Sequence, residues 1–114
     1  MWRPCQQENR ETRIIVFLNL KPGKSRIDYE NWARAFDLPT VNRLQSVERF
    51  ELFEATGLLN GDPSPYDYIE IIDVADMALF GQETKTETMA RIAAEFRDWA
   101  TPTFIVTRKV GGAE

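Results

Sequence analysis

Histidine is absent from this sequence of 114 residues, and cysteine occurs once, as Cys5. Without histidine the chain lacks the usual zinc ligand sets, a histidine ligand for haem, the Ser-His-Asp triad and the commonest general base near neutral pH. A single cysteine cannot form an internal disulfide. Glycine-rich nucleotide motifs are also missing, because Gly23-Lys24-Ser25 lacks the upstream glycine of a P-loop. We therefore predict no metal and no cofactor.

Long apolar runs and clustered positive charge are missing as well. The longest apolar run, Ile14 to Leu18, is far shorter than the ~20 residues that a membrane helix requires. The net charge is −4, and no Lys/Arg cluster suited to phosphate contacts is present. The N-terminus has no apolar segment typical of a secretory signal. These features predict a cytoplasmic protein without a membrane span or a nucleic-acid partner.

The composition that remains is typical of one globular domain. Hydrophobic residues make up 43% and charged residues 28% of the chain. We expect residues 1–12 to form a flexible arm, residues 13–110 the folded domain and residues 111–114 a frayed tail.

Apolar alternation and turn residues predict four strands and two helices. The strands are expected at residues 13–21, 47–55, 66–74 and 104–110. Ser25 and Asp28 form a helix cap, and Pro39 is expected to limit that helix. Its buried stripe is expected to contain Tyr29, Trp32, Ala33 and Phe36. A second capping box at 84–87 predicts a helix with Met89, Ile92, Ala93, Phe96 and Ala100 on one stripe.

The order β-α-β-β-α-β predicts a ferredoxin-like α+β fold, an antiparallel sheet with both helices on one face. The wholly apolar side of the first strand should face those helices. By alternation, we expect the opposite face to carry Phe17, Asn19, Val47, Arg49, Glu51, Phe53, Tyr66, Tyr68, Glu70, Ile72 and Val74. Such an apolar surface exceeds what monomers normally expose, and it predicts a homodimer in which two sheets face each other.

Two interpretations of the charged groups on that face stay open. In the simpler one, Arg49 pairs with Glu51 or Glu70, or lies at a wet rim. In the functional one, the two sheets enclose a cavity for a small molecule. Tyr68 and Glu70 are then the candidate catalytic acid/base pair, because a dry pocket raises a carboxyl pKa towards neutrality. The candidate substrate contacts are Phe17, Asn19, Arg49, Glu51, Phe53 and Tyr66.

One motif carries a family resemblance. Arg26-Ile27-Asp28-Tyr29 resembles the Arg-Glu-Asp-Tyr motif of the REDY-like family, with Ile27 in place of Glu. The similarity continues through residues 32–34, 37–41, 56–59, 64–68 and 94–96. It implies a dimeric α/β barrel, as in small cofactor-independent monooxygenases and EthD-like proteins. It also implies a role in making a prodigiosin-like tripyrrole pigment or a related secondary metabolite. It supplies no catalytic residues.

Three functional classes follow. The first is a cofactor-independent tailoring or condensation enzyme acting on an aromatic or pyrrolic intermediate. The second is a non-catalytic carrier of such an intermediate. The third is a regulatory or RNA-binding module with the same element order, which the acidic composition and the missing aromatic-basic motif disfavour.

Overall fold

The computed structural model describes residues 12–113 and contains one antiparallel sheet. Its strands are β1 (Thr12–Leu20), β2 (Val47–Glu54), β3 (Tyr68–Val74) and β4 (Ala100–Arg108), in the order β2-β3-β1-β4. The helices are α1 (Arg26–Trp32), α2 (Leu38–Asn42), α3 (Met77–Glu83) and α4 (Glu87–Trp99), with a π-helical turn (Ala33–Asp37) between α1 and α2. The predicted ferredoxin-like α+β fold is confirmed. The predicted arm lies outside the described residues, except for Thr12, which begins β1.

The core lies between the helices and one face of the sheet. Ile14, Val16 and Leu18 alternate along β1 and are buried there, as their apolar pattern predicts. They pair with Ile72, Glu70 and Tyr68 of β3. Residues directly opposite each other in an antiparallel pair share a face of the sheet, so these β3 residues also face the helices.

The predicted placement of Tyr68, Glu70, Ile72 and Val74 on the open face is therefore wrong. Val47 is also buried, contrary to prediction. Both alternating sets of β3 contain isoleucines, so the pattern of this strand alone does not tell which set faces the core. The register with β1 decides it, because a shift of one residue exchanges the two faces.

The first helix begins as predicted but continues further. The Ser25 Oγ accepts a hydrogen bond of 3.2 Å from the Asp28 N–H. Pro39 does not end the helical segment, which continues through α2. Proline cannot donate to the carbonyl four residues back, and a π-helical turn precedes it. In that turn the Leu38 N–H donates to the Ala33 carbonyl, five residues earlier.

The π-helical turn changes which side chains face the sheet. It inserts one residue into the helical repeat, so the buried positions follow a spacing of four: Tyr29, Ala33, Asp37 and Val41. Phe36, predicted on the buried stripe, is instead 55% exposed. An aspartate thus occupies the inward position that an ordinary α-helix would give to Phe36.

The second half contains a helix that the pattern did not predict, α3. The cap of α4 is Thr86, whose Oγ1 accepts from the Met89 N–H, rather than the predicted Thr84. Met89, Ile92 and Phe96 are buried, as predicted for this helix. Strand β4 starts earlier than predicted and includes Pro102, which an edge strand tolerates. No helix in residues 12–113 combines the length and apolar character needed to cross a membrane.

Candidate functional site

A cavity of about 270 Å³ lies between the helix layer and the sheet. Its apolar wall includes Ile14, Phe50, Ile72, Phe80, Ile92 and Phe96. Two carboxyl side chains, Asp37 and Glu70, also line it, and Arg97 of α4 contributes an exposed side chain. The site is therefore an apolar chamber with two buried carboxyl groups, Asp37 and Glu70, in its wall, which we call the carboxyl pair.

Glu70 lies in the middle of the sheet. It pairs with Val16 on one side and Leu52 on the other, and only 3% of the residue is exposed. Its Oε2 atom has no hydrogen-bond partner. Burial raises the pKa of Glu70 well above its usual range, and the nearby charge of Asp37 raises it further.

Asp37 reaches the cavity from the π-helical turn. It is 5% exposed. Burial alone raises the pKa of this carboxyl to about 7, because the charged form loses its water. A carboxyl with that pKa exchanges protons readily near neutral pH.

Tyr29, the last residue of the family motif, is fully buried beside the carboxyl pair. Burial raises the pKa of its phenol, and the charges of Glu70 and Asp37 raise it further, so the hydroxyl stays protonated. The hydroxyl is near enough to lower the pKa of Glu70, yet it makes no hydrogen bond in this structure. Tyr29 therefore offers an unused donor next to an unused acceptor.

Tyr68 faces a separate pocket. Its hydroxyl donates to the Glu30 Oε2 at 2.6 Å, and its ring centroid lies 5.0 Å from that of Tyr29. Burial raises the pKa of Tyr68 to about 12. It lines a polar pocket of about 210 Å³ with Glu30, Arg34 and Glu54. Tyr68 and Glu70, the predicted acid/base pair, thus share a face of the sheet but line different pockets. The prediction that they lie between two sheets is wrong. Their participation in catalysis stays a prediction.

The other predicted contacts do share the open face. Phe17, Asn19, Arg49, Glu51 and Phe53 alternate with the buried positions of their strands. Tyr66 joins them through its ring, whose centroid is 5.0 Å from that of Phe17. The Asn19 Oδ1 accepts from the Asp67 N–H at 3.0 Å, and its Nδ2 donates to the Pro65 carbonyl at 3.2 Å. The amide of Asn19 therefore holds the loop before β3.

Arg49 pairs with neither predicted partner. Its Nε lies 3.9 Å from an oxygen of Asp73, and 64% of its side chain is exposed. Asp73 makes a shorter ion pair with Arg13, at 2.7 Å. The open face thus carries a cluster of exposed charged side chains. This agrees with the simpler interpretation in that Arg49 lies in contact with water, although its partner differs. Substrate binding by its residues stays a prediction.

A carboxylate clamp, formed by Glu83 with Gln45 and Ser46, ties the end of α3 to the turn before β2. The Glu83 side chain, at the end of α3, accepts hydrogen bonds from the Ser46 Oγ at 2.6 Å and from the backbone N–H groups of Ser46 and Gln45 at 3.0 Å each. The hydrogen bond from the Ser46 hydroxyl is the main cause that lowers the pKa of Glu83. The clamp fixes the position of α3, the helix that contains the cavity-lining residue Phe80.

Residues 12–110 match the sequence model of the family described as REDY-like protein HapK. The chain belongs to this family. The structure resembles that of HapK from Hahella chejuensis, with a TM-score of 0.74 and 26% identity over 90% of this chain and 96% of HapK. No curated protein matches the chain at a significant level.

Two solved enzymes share the fold at low sequence identity. The hydroxynitrile lyase of Passiflora edulis has a TM-score of 0.72 and 13% identity, over 90% of this chain and 96% of the lyase. SnoaB of Streptomyces nogalater, a cofactor-independent oxygenase, has a TM-score of 0.72 and 11% identity, over 89% of this chain and 94% of SnoaB. At such identities the likeness concerns the fold.

In this member of the REDY-like family, the motif residues have separate structural tasks. Arg26 bridges to Glu54 at 3.2 Å and to Asp67 at 2.8 Å, so it connects the start of α1 to the end of β2 and to the residue before β3. Ile27, where the family motif has Glu, is 72% exposed. Only Tyr29 of the motif lies beside the carboxyl pair.

Sequence reasoning missed Tyr29 and Asp37 as site residues. Tyr29 was interpreted as packing, and it does pack, against Tyr68, Trp32 and Trp99. The available signal for Asp37 was its distance of two residues from Pro39, since a proline inside a helical pattern indicates a local change of repeat. No group of three or more potential metal ligands occurs in residues 12–113.

Proposed function

We propose that this protein binds a small aromatic or pyrrolic metabolite in the cavity between helices and sheet, where the carboxyl pair transfers protons without a cofactor. The observation that carries the proposal is the burial of Asp37 and Glu70 in one apolar cavity, with Glu70 Oε2 unpartnered. Burying carboxyl groups without partners is costly. Strongly shifted pKa values of this kind are typical of functional sites.

The carboxyl pair is suited both to donate a proton to a ligand and to accept one from it. Two neighbouring carboxyl groups in a dry space tend to hold one proton between them, so one can donate while the other accepts. In a condensation of a carbonyl compound with a pyrrole, the pyrrole carbon would attack the carbonyl carbon while the protonated carboxyl gives its proton to the carbonyl oxygen. The ionised carboxyl would take the proton from that pyrrole carbon and pass it to the new hydroxyl group, which leaves as water. Loss of the pyrrole N–H proton to the pair would then restore its single proton. The Tyr29 hydroxyl is placed to stabilise charge on the pair.

The family supports a place in the biosynthesis of a prodigiosin-like pigment or a related secondary metabolite. Ligand pockets usually measure roughly 300–1,000 Å³, so a cavity of about 270 Å³ is at the small end. That size favours an intermediate with one or two rings over a complete three-ring pigment.

A second candidate function is a carrier that holds the intermediate without converting it. The mostly apolar lining favours it, because apolar walls retain an aromatic ligand without any chemistry. The two candidates share the cavity and differ in whether the carboxyl pair acts on the ligand.

We further propose a homodimer formed through the open face of the sheet. Ile15 lies between Ile71 and Ile105 at the centre of that face, and Phe17 pairs with Ile69. Phe53 and Ile105 are 46% and 43% exposed. Monomers rarely leave such a continuous apolar surface in water, and a second copy would cover it with an identical surface. A cytoplasmic location stays a prediction.

Incubation of the purified protein with one-ring and two-ring pyrrole aldehydes, together with an alkylpyrrole that has a free carbon next to nitrogen, tests the proposal. We expect ligand retention by the wild type, with new products identified by mass spectrometry. Glu70→Gln should lower the conversion rate by about a hundredfold, the usual size of a general acid-base contribution. The matched control is Glu48→Gln, an exposed residue of β2.

Retention without conversion, unchanged in Glu70→Gln, would favour the carrier. Absence of both retention and conversion would contradict the proposal. Circular dichroism of each variant confirms that a loss of activity is not a loss of folding.

A further inference from the structure

Within the described part of the chain, neither member of the carboxyl pair forms an ion pair with a cation. Burial, Asp37 and Tyr29 are the influences that shift the pKa of Glu70, and burial alone shifts that of Asp37; none of these is a cation. Within residues 12–113, the neighbouring arginines Arg26 and Arg34 are bound to carboxylates outside the cavity.

Arg97 is the one arginine of the cavity lining, and it forms no ion pair in the described part of the chain. It is exposed and contributes nothing to the pKa of either carboxyl. The groups facing the pair are thus acidic or neutral: Tyr29 from α1, apolar Val41 from α2, Phe50 from β2 and Ile92 from α4.

Building on the proposed function, we infer that the cavity selects planar ligands that carry a delocalised positive charge on N–H groups, such as amidine-like cations or protonated nitrogen heterocycles. A pair that holds one proton keeps one negative charge in an apolar space. The unpartnered Oε2 of Glu70 can accept a hydrogen bond from a ligand, and an N–H cation supplies both that donor and the compensating charge, which the neutral Tyr29 hydroxyl does not. An anionic ligand would add repulsion.

The shape and chemistry of the walls favour the same class of ligand. Phe50, Phe80, Phe96 and Phe104 line the cavity, and aromatic faces attract cations as well as packing against flat rings. A neutral ring of equal size would gain the packing but would leave the charge of the pair uncompensated.

Three probes of nearly equal shape separate these contributions: benzamidinium, benzamide and benzoate. Calorimetric titration at pH 7.5 should show benzamidinium binding at least tenfold more tightly than benzamide, with benzoate weakest. Repetition in two buffers of different ionisation enthalpy should show proton release on binding of benzamidinium, because the cation favours the ionised pair. The methyl NMR signal of Met89, which lines the cavity, should shift on binding.

The variants Glu70→Gln and Asp37→Asn should each lower the preference for benzamidinium over benzamide at least fivefold, while Glu48→Gln should retain it. If benzamide or benzoate binds as tightly as benzamidinium and shifts Met89, the charge selection is wrong but the binding cavity stands. If no probe binds or shifts Met89, the proposed function fails together with the inference. A preference for benzamidinium that survives in the variant carrying both Glu70→Gln and Asp37→Asn would place the cation elsewhere and overturn the inference.

Discussion

The two faces of the sheet carry similar apolar side chains, but their charged groups differ in burial and in ion pairing. Each face has isoleucines and aromatic rings along β1 and β3. On the open face, Arg13, Arg49 and Asp73 form ion pairs in contact with water. On the helix-facing side, Asp37 and Glu70 are buried, and neither forms an ion pair with any cation of residues 12–113.

This difference is the physical basis for proposing a function for the buried charges and not for the exposed ones. An exposed ion pair costs little and contributes about 0–1 kcal/mol to stability, so its presence needs no function. A buried carboxyl without a partner destabilises the fold. We therefore propose a function for the cavity that faces the helices. For the open face we propose a structural role, the association of two copies of the chain.

Truncation of the buried face should cause the largest change in stability. Leu18 is fully buried, and Leu18→Ala should lower the free energy of unfolding by about 3–5 kcal/mol. Ile105→Ala, at a 43% exposed position of the open face, should lower it by about 1 kcal/mol. Urea denaturation at one fixed protein concentration measures both, since the stability of a dimer depends on concentration. Equal losses would contradict the contrast between the faces.

A charge at the centre of the open face should break the dimer. Ile15→Glu places a carboxylate between Ile71 and Ile105, and we expect dimer dissociation to increase about a hundredfold, or roughly 2.7 kcal/mol. Sedimentation velocity over a range of concentrations gives the dissociation constant. Ile27→Glu, at a 72% exposed position of α1, is the matched control. A wild type that is monomeric at micromolar concentration would refute the proposed interface.

Removal of a buried charge should stabilise the protein, in contrast to removal of an exposed one. The pKa of Asp37 is about 7 when folded and 3.8 ordinarily, so the folded state holds this proton more tightly. The contribution of Asp37 to the free energy of unfolding is most favourable below about pH 4, and it is lost as the pH rises through 7. Asp37→Asn should therefore exceed the wild type in unfolding free energy by about 2 kcal/mol at pH 8.

The stabilisation by Asp37→Asn should disappear near pH 4, where both side chains are neutral. Denaturation curves at several pH values, with Glu48→Gln as the exposed control, measure the effect. A variant less stable than the wild type at pH 8 would indicate that Asp37 has a structural partner in solution. If the site is functional, the same variant should lose activity while it gains stability.

Several features could be predicted because they depend on neighbouring residues along the chain. The cap at Ser25, the apolar face of β1, the buried Tyr29 and Trp32 and the order of the elements all follow from short-range patterns. The family resemblance, carried by a motif and its flanking segments, is confirmed by the match over residues 12–110.

The candidate site could be predicted only in part. Glu70 was chosen for the right chemical reason, the effect of a dry pocket on a carboxyl pKa, but was assigned to the wrong face. Asp37 was not chosen, because an ordinary helical repeat points Phe36 inward at that turn. Both errors concern the direction in which a side chain points.

The sequence by itself determined the element order, the family and the chemistry that the chain has to use, since these depend on residue types and on their spacing along the chain. The tertiary structure alone decided which face of β3 meets the helices and which residue of the π-helical turn meets Glu70. The physical reason is that strand register and a one-residue insertion in a helix each reorient side chains without changing the local pattern. Only the packing of distant segments therefore brings Asp37 and Glu70 to one cavity, with the Tyr29 side chain beside them.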